Sequence, residues 1–368
     1  MKRIGIDFLP VESSPAGIGQ YTIGLLRELW KLDTENIYIV YSTKPIDEEY
    51  LKHPNVKNVI VKWPDRFPLK GIRWMNNVIK QLHKERIDLF LSTSNNYFAL
   101  NFPRTIQFIH DLSPMHFPEL YKLNARLLYT ATSKLALTQA KHIVTISESV
   151  RKELVNLNPK AKDKISVINA FINENILVES QKYTGITPDT NYILTISGFD
   201  PKKNLELSLR VFARLIRGLE FRDYKYYVIG KKAWHYEKIL ETIKELGIEE
   251  NVVLMGYVDD CYIADIVSKS KCMLLLSKYE GFGMTPLESL YFNVPVVVSD
   301  IPVFREILSD MSEMVTFVDC NDEETLEIAS QALSDAIRSK RIDTKDKVTK
   351  IYSAGKSAKE LLNIINHY

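Results

Sequence analysis

Two glutamates bracket the segment of this chain in which chemistry is most legible, Glu280-Gly-Phe-Gly-Met-Thr-Pro-Leu-Glu288, directly after the apolar run Cys272 to Leu276. A carboxylate set among glycines at the end of a buried strand lets a ligand approach the backbone closely and accepts hydrogen bonds from sugar hydroxyls. Glu280 has that setting, with Gly281, Phe282, Gly283, Met284 and Thr285 completing the turn. Glu288 is open to two readings. It is a second polar contact for a polyhydroxylated ligand, or the last member of a capping box, since Thr285-Pro-Leu-Glu288 with Pro at the first helical position also starts a helix. Paired carboxylates also serve glycoside hydrolysis, but these two come from one wall of a site, not from opposite sides of a scissile bond.

Three further segments carry polar chemistry. Gly198-Phe-Asp-Pro-Lys-Lys-Asn204 joins a strand to a helix and places Lys202 and Lys203 just before a helix N-terminus. That arrangement suits a diphosphate, whose charge grows as it leaves; exposed lysines in a polar loop are the alternative. His110 and Asp111 end an apolar run, where an imidazole points towards a crevice or caps the following loop. Ser13-Ser-Pro-Ala-Gly-Ile-Gly-Gln-Tyr21 leads into a helix with apolar period at Tyr21, Leu25, Leu26 and Leu29. Gly17 and Gly19 there fit either close approach to a phosphate or sugar hydroxyl, or a plain turn. Ser147-Glu-Ser-Val reads as an N-cap after a strand.

The elements that hold these residues alternate. Strand-like runs fall at 3–9, 37–41, 59–62, 89–92, 105–109, 142–146 and 165–168, and again at 192–197, 226–229, 252–255, 272–276, 294–299 and 314–318, with helical stretches between most of them. Such alternation predicts α/β layering with parallel sheets in two domains, at 1–175 and 186–349, and a length of 368 residues suits that division. The stretch 173–191 loses periodicity and reads as the linker. Two open parallel sheets facing each other would place a ligand in a cleft beyond the carboxyl ends of their strands.

Composition narrows the class. The chain is 45% apolar and 26% charged, ordinary for a folded protein. Its cysteines, Cys261, Cys272 and Cys320, lack zinc or disulfide spacing. No apolar run approaches the ~20 residues of a membrane span, and the first strand begins without a secretory leader. A cytoplasmic protein is expected. The first 180 residues carry 24 basic against 18 acidic residues, the remainder 24 against 28. The basic excess concentrates in Lys70 to Lys84, around Trp74, and in Tyr121 to Lys141, with Lys122, Arg126, Lys134 and Lys141, both free of acids. Each segment fits a helix lying on an anionic membrane, or a solvated helix face. No nucleic-acid partner is indicated.

Over nearly its whole length the chain resembles glycosyltransferase family 4, the retaining enzymes of the GT-B fold. The segment from Glu280 to Glu288 matches that family's E-x7-E motif, followed by Val294-Pro-Val-Val-Val-Ser299; Ala16-Gly-Ile-Gly19, Phe108-Ile-His-Asp-Leu112 and Pro201-Lys-Lys-Asn204 match its other signatures. Phe108 to Pro118, Gly230-Lys-Lys-Ala-Trp234 and Met255-Gly-Tyr-Val258 are similar to mannosyltransferases of bacterial surface-polysaccharide synthesis, lipopolysaccharide included.

The resemblance implies two Rossmann-like domains facing a central cleft, with the helix at 350–368 packing back on the first. It also implies transfer of a hexose from a nucleoside diphosphate sugar to a glycan or lipid-linked acceptor. GDP-mannose is favoured over a UDP- or dTDP-sugar, and no metal or other cofactor is expected. It places Lys203, with Lys202, at the diphosphate, Glu280 at the donor sugar, Glu288 at the ribose and Tyr257 and Val258 near the base. His110 stands beside the reacting sugar, and Gly17 and Gly19 meet the diphosphate or acceptor. Many members carry Arg where this chain has Gly198, which keeps a non-catalytic nucleotide-sugar-binding subunit of a glycosyltransferase complex as one alternative; a GT-B sugar-nucleotide epimerase is the other, although no epimerase pattern is seen.

Overall fold

The computed structural model describes every residue except 14–16, 66–69, 96, 173–176, 178–190, 232–235 and 322–323. The expected linker therefore lies outside the described residues apart from Leu177 and Asn191, as do Ala16 and Trp234. The chain divides into two compact units, one built from 1–171 together with 354–368, the other from 172–353.

The first unit is a seven-stranded parallel sheet of β1 (Arg3–Asp7), β2 (Ile37–Ser42), β3 (Val56–Ile60), β4 (Leu89–Ser92), β5 (Thr105–Phe108), β6 (His142–Thr145) and β7 (Ile165–Val167), in the order β3-β2-β1-β4-β5-β6-β7. Strands such as β4, β5 and β6 are buried along their whole length. Helices cover both faces of such a sheet, so the strands read as continuous apolar runs instead of alternating ones. Three helices carry or flank the residues of interest: α1 (Ile18–Leu32), α2 (Lys70–Lys84) and α3 (Leu123–Gln139). The apolar period seen in α1 is its buried stripe, Tyr21, Leu25, Leu26 and Leu29. The last helix of the chain, Ala354–His367, packs on α1 through Ala358, Leu361 and Ile365, and Ser357 Oγ donates to the Asn169 carbonyl at 2.9 Å. Ser147 caps its helix as expected, its side chain accepting from Val150 N at 3.2 Å.

The second unit repeats the plan with six parallel strands, β8 (Tyr192–Ile196), β9 (Lys225–Ile229), β10 (Val252–Gly256), β11 (Met273–Leu275), β12 (Val296–Ser299) and β13 (Val315–Val318), ordered β10-β9-β8-β11-β12-β13. Its relevant helices are α4 (Leu205–Leu215), α5 (Asp260–Lys269) and α6 (Met284–Tyr291). Both units are Rossmann-like. All thirteen strand-like runs are strands, with ends displaced by up to three residues. The largest displacement is at the start of β3, which pairs with β2 from Val56 onward.

In each unit the strand order reverses once, between β1 and β4 and between β8 and β11. There the connections leave in opposite directions and open a crevice at the carboxyl ends of the strands. The β8 end of the second crevice depends on one glycine. A Cβ at Gly230, just past β9, would stand 1.8 Å from the Ser197 carbonyl oxygen, just past β8. A backbone oxygen cannot turn aside as a side chain can, so Gly230→Ala should cost at least about 2 kcal/mol of stability. Urea unfolding checks this, with a lowered midpoint and an unchanged slope expected; wild-type stability would show that the two strand ends can part freely.

Candidate functional site

β8 runs into Ser197-Gly198-Phe199-Asp200 and then a tight turn, Pro201–Lys203, closed by Asn204 in the left-handed region at φ 54° before α4 begins. β11 runs into Ser277-Lys278-Tyr279-Glu280. Because β8 and β11 are neighbours, these loops meet: Lys278 N donates to the Lys202 carbonyl at 2.7 Å. Lys203 Nζ then reaches Glu280 Oε1 at 2.6 Å, and Ser277 Oγ donates to the same oxygen at 2.8 Å. Ser277 is itself held, its carbonyl accepting from Ser299 Oγ. The Lys203 and Glu280 side chains are 19% and 11% exposed. A cation and a carboxylate thus neutralise each other at the reversal point, beside a helix N-terminus that favours anions.

The rest of the segment is built around this pair. Gly281 and Phe282 are buried, with the Phe282 ring edge-on to Tyr352 at 5.6 Å. Gly283 has φ 119°, and a Cβ there would lie 2.6 Å from the Phe304 ring, so only glycine fits. Gly283 is also the N-cap of α6, without a side-chain cap. This corrects the helix start read from the sequence. Met284, Thr285 and Pro286 lie inside the first turn, so Thr285 is not the cap and Glu288, one turn further on, is not part of a capping box. Helix geometry instead leaves the half-buried Glu288 carboxylate with no hydrogen-bond or ion-pair partner among the described residues. Burial, and secondarily the Asp260 carboxylate at the start of α5, pushes its pKa up to about 7.

Tyr257 and Val258 occupy the turn after β10, two strands from β8. Gly256 enters that turn at φ 70°. Tyr257 is 57% exposed, with Lys231 Nζ 5.6 Å from its ring centre. Gly198 is not forced by crowding, the nearest atom to a Cβ there being Asp200 Oδ2 at 3.4 Å.

In the first unit, His110 follows β5 and is buried, with Nε2 2.8 Å from the Thr93 carbonyl. A carbonyl only accepts, so Nε2 carries the proton. Burial holds the imidazole pKa below its usual value, which keeps it neutral. Gly17, at φ 57°, is the N-cap of α1 and its carbonyl accepts from Tyr21 N at 2.9 Å; Gly19 is buried in the first turn. Tyr21 packs edge-on to His110 at 5.4 Å, so the glycine turn and the histidine share one neighbourhood.

The predicted residues thus gather into two groups, Gly17, Gly19 and His110 in the first unit, and Lys202, Lys203 and Glu280 to Glu288 in the second. Sequence reasoning missed Ser277 and the electrostatic role of Asp260. A hydroxyl at the carboxyl end of a buried run, three residues before Glu280, was a usable signal for the first. Nothing local marks Asp260 as a neighbour of Glu288.

Comparison with known proteins bears on the family and the fold. Two family signatures match, "Glycosyltransferase Family 4" over residues 15–175 and "Glycosyl transferases group 1" over residues 179–349. The O-antigen chain mannosyltransferase RfbU of Salmonella typhimurium is 25% identical over 234 residues, covering 62% of this chain and 61% of that protein. The O-antigen chain mannosyltransferase B of Escherichia coli is 25% identical over 330 residues, covering 82% of this chain and 83% of that protein. This chain therefore spans about three-fifths of the length of the first relative. Among solved structures, sucrose-phosphate synthase from Thermosynechococcus elongatus has the same fold, with a TM-score of 0.76 at 16% identity over 100% of this chain and 99% of that one.

Glu288 holds its proton to about pH 7 in the folded chain, against an ordinary value of 4.5. The folded state therefore binds more protons than the unfolded one between those values, and stability falls as pH rises through that window, then levels off. Asp7, buried and also pushed up to about 7, acts in the same direction. Melting temperatures of wild type and Glu288→Gln, measured across pH 4.5 to 8, should diverge in favour of the variant as pH rises, because the Asp7 contribution cancels in the difference. Parallel curves would show that Glu288 ionises normally.

Proposed function

From the premise that this chain belongs to the glycosyltransferases of group 1 and family 4, we propose that it moves a hexosyl residue, mannose favoured, from a nucleoside diphosphate sugar to a glycan or lipid-linked acceptor in surface-polysaccharide synthesis. The observation that carries this reading is the Lys203–Glu280 pair at the reversal point of the second sheet, inside the segment that the family signature covers. In the absence of donor the two charges satisfy each other. An entering diphosphate competes for Lys203 and the N-terminus of α4, which frees Glu280 to accept from sugar hydroxyls while Ser277 still holds its carboxylate in place. The lysine then stabilises the charge that grows on the leaving diphosphate.

Glu288, with no hydrogen-bond or ion-pair partner among the described residues, takes the ribose hydroxyls; Tyr257 and Val258 lie by the base. Neither glutamate is a covalent nucleophile. Transfer proceeds on one face of the sugar, with the departing diphosphate helping to deprotonate the acceptor hydroxyl, so that configuration is retained. Neutral His110 offers an uncharged contact to the reacting sugar. GDP-mannose is the favoured donor, and the chemistry needs no metal, because lysine and helix N-terminus neutralise the diphosphate.

The first unit supports peripheral membrane contact through one helix only. Trp74 of α2 is fully buried with Nε1 donating to the Val61 carbonyl at 2.8 Å, so the basic residues of α2 form a plain solvated face. On α3, Leu123 and Leu127 are 61% and 57% exposed, one turn apart and interleaved with Lys122 and Arg126. Exposed apolar side chains among cations, without acids, suit an anionic bilayer surface at the inner face of a plasma membrane.

Incubation with GDP-, UDP- and dTDP-sugars should release the matching diphosphate slowly, and Glu280→Gln or Lys203→Ala should abolish release while the melting temperature is kept. Normal turnover in either variant would defeat the site assignment, and binding without any release would make the chain a nucleotide-sugar-binding subunit. Thermal shifts with GDP, UDP and dTDP identify the base, since a ligand at ~100 times its dissociation constant stabilises by about 2.7 kcal/mol. Sedimentation with anionic vesicles should be salt-sensitive and lost when Leu123 and Leu127 become serine; equal sedimentation of that variant would remove α3 as the contact.

A further inference from the structure

Thr93 stands where β1 and β4 part. Main-chain pairing between these strands runs Ile4 with Leu89, Gly5 with Phe90 and Ile6 with Leu91, and goes no further. Beyond it the Thr93 hydroxyl donates to the Asp7 carbonyl at 2.7 Å, so a side chain takes over where the ladder stops. The carbonyls on either side of Thr93 are held as well. The fully buried Gln107 of β5 donates through Nε2 to the Ser94 carbonyl at 2.6 Å and to the Ser92 carbonyl at 3.3 Å. The Thr93 carbonyl between them is left to His110, whose Nε2 donates to it at 2.8 Å. Thr93 is 3% exposed, and its satisfied hydroxyl fixes its own main chain.

The imidazole ring is held from its faces too. Tyr21 packs edge-on to it at 5.4 Å and is anchored by its hydroxyl, which donates to the Ile168 carbonyl at 3.3 Å; Phe108 lies on it at 6.2 Å. A neutral imidazole protonated on Nε2 carries a bare lone pair on Nδ1. That nitrogen has no hydrogen-bond partner among the described residues and is not sealed from solvent. His110 also walls a cavity of about 330 Å³ in the first unit, with no lysine or arginine among its described lining residues. No cation among them competes for the lone pair.

We infer that Thr93 is a positioning residue for the transfer: through its carbonyl it fixes the His110 tautomer, so that Nδ1 meets the reacting sugar as a hydrogen-bond acceptor only. The inference rests on the glycosyltransferase reading, in which His110 stands beside that sugar, and deepens it by naming what holds the histidine and what the contact selects. The substituent that meets Nδ1 must bring a proton, as a hydroxyl does. An acetamido carbonyl, an ether oxygen or a carboxylate finds no donor there. Thr93 acts on the sugar through His110 alone, which separates it from a residue that merely supports the fold.

Diphosphate release from GDP-mannose, UDP-glucose and dTDP-glucose by the full chain gives the reference rate on whichever donor is cleaved. On that donor Thr93→Val, which keeps the side-chain shape and removes the hydroxyl, should lower kcat/KM about tenfold, and Thr93→Ser should restore it. In a His110→Ala background Thr93→Val should cost less than about twofold more, because residues that act through one contact are not additive. A full further loss there would make Thr93 a support of the fold and overturn the inference, as would an unchanged rate in Thr93→Val. Two-bond proton–nitrogen NMR spectra of the histidine-labelled chain test the tautomer without turnover, with His110→Ala assigning the signal. The wild type should show His110 protonated on Nε2 with its ring nitrogens well separated in shift, and Thr93→Val should draw them together as the tautomers mix. A proton on Nδ1 in the wild type overturns the proposal even if Thr93→Val fails to fold. Release from no donor, with no thermal shift by GDP, UDP or dTDP, sinks the functional reading beneath it, whereas turnover at equal rates in wild type and Thr93→Val sinks this inference only.

Discussion

The adjacency of β8 and β11 is the constraint on which the second unit's site depends. Their pairing brings Lys203 and Glu280, 77 residues apart in sequence, to 2.6 Å. The bond from Lys278 N to the Lys202 carbonyl locks the two loops at main-chain level, so the ion pair does not have to hold them together by itself. Ser277 donates to the same carboxylate oxygen as Lys203, and Ser299 holds Ser277 through its carbonyl. A half-buried ion pair adds little to stability, because desolvation offsets most of the attraction. It does give the loops a defined arrangement.

Two carboxylates within one short segment end in opposite electrostatic states. Glu280 is charge-paired and doubly hydrogen-bonded. Glu288, on the first helical turns beyond it, has no hydrogen-bond or ion-pair partner among the described residues, and burial and the like charge of Asp260 push its pKa up to about 7. Sequence spacing treats them as a pair, whereas their surroundings divide their work. The same separation holds between the units. A lysine–glutamate ion pair sits in one, while a cavity with no lysine or arginine among its described lining residues sits in the other.

The two basic helices make a related point. By composition the segments 70–84 and 121–141, which hold α2 and α3, are alike, each with four Lys or Arg and no acids. In the fold α2 turns Trp74, Met75, Val78 and Leu82 inward and leaves solvent only its polar face. α3 buries residues of its second half, Thr132, Ser133, Ala136 and Leu137, and so leaves Leu123 and Leu127 uncovered. Composition cannot separate these cases, because what differs is which residues of each helix the packing covers.

Local sequence determined the strands, the two-unit division and the segment from Glu280 to Glu288. Buried parallel strands must be continuous apolar runs, and Gly283 must be glycine because no other residue fits its backbone and the Phe304 ring. It also marked Lys203 and His110 by position, since the carboxyl end of a strand is where a parallel sheet exposes functional groups. Tertiary structure alone decided the rest. The Lys203–Glu280 pairing, the proximity of Asp260 to Glu288 and the inward turn of Trp74 each join residues brought together by strand order or helix packing. The helix start at Met284 belongs with them: Thr-x-x-Glu spacing permits a cap, but the backbone at Gly283 had already begun the helix. Spacing along a chain reports which groups are available, and only the packing of distant segments fixes which of them meet, and in what state of charge.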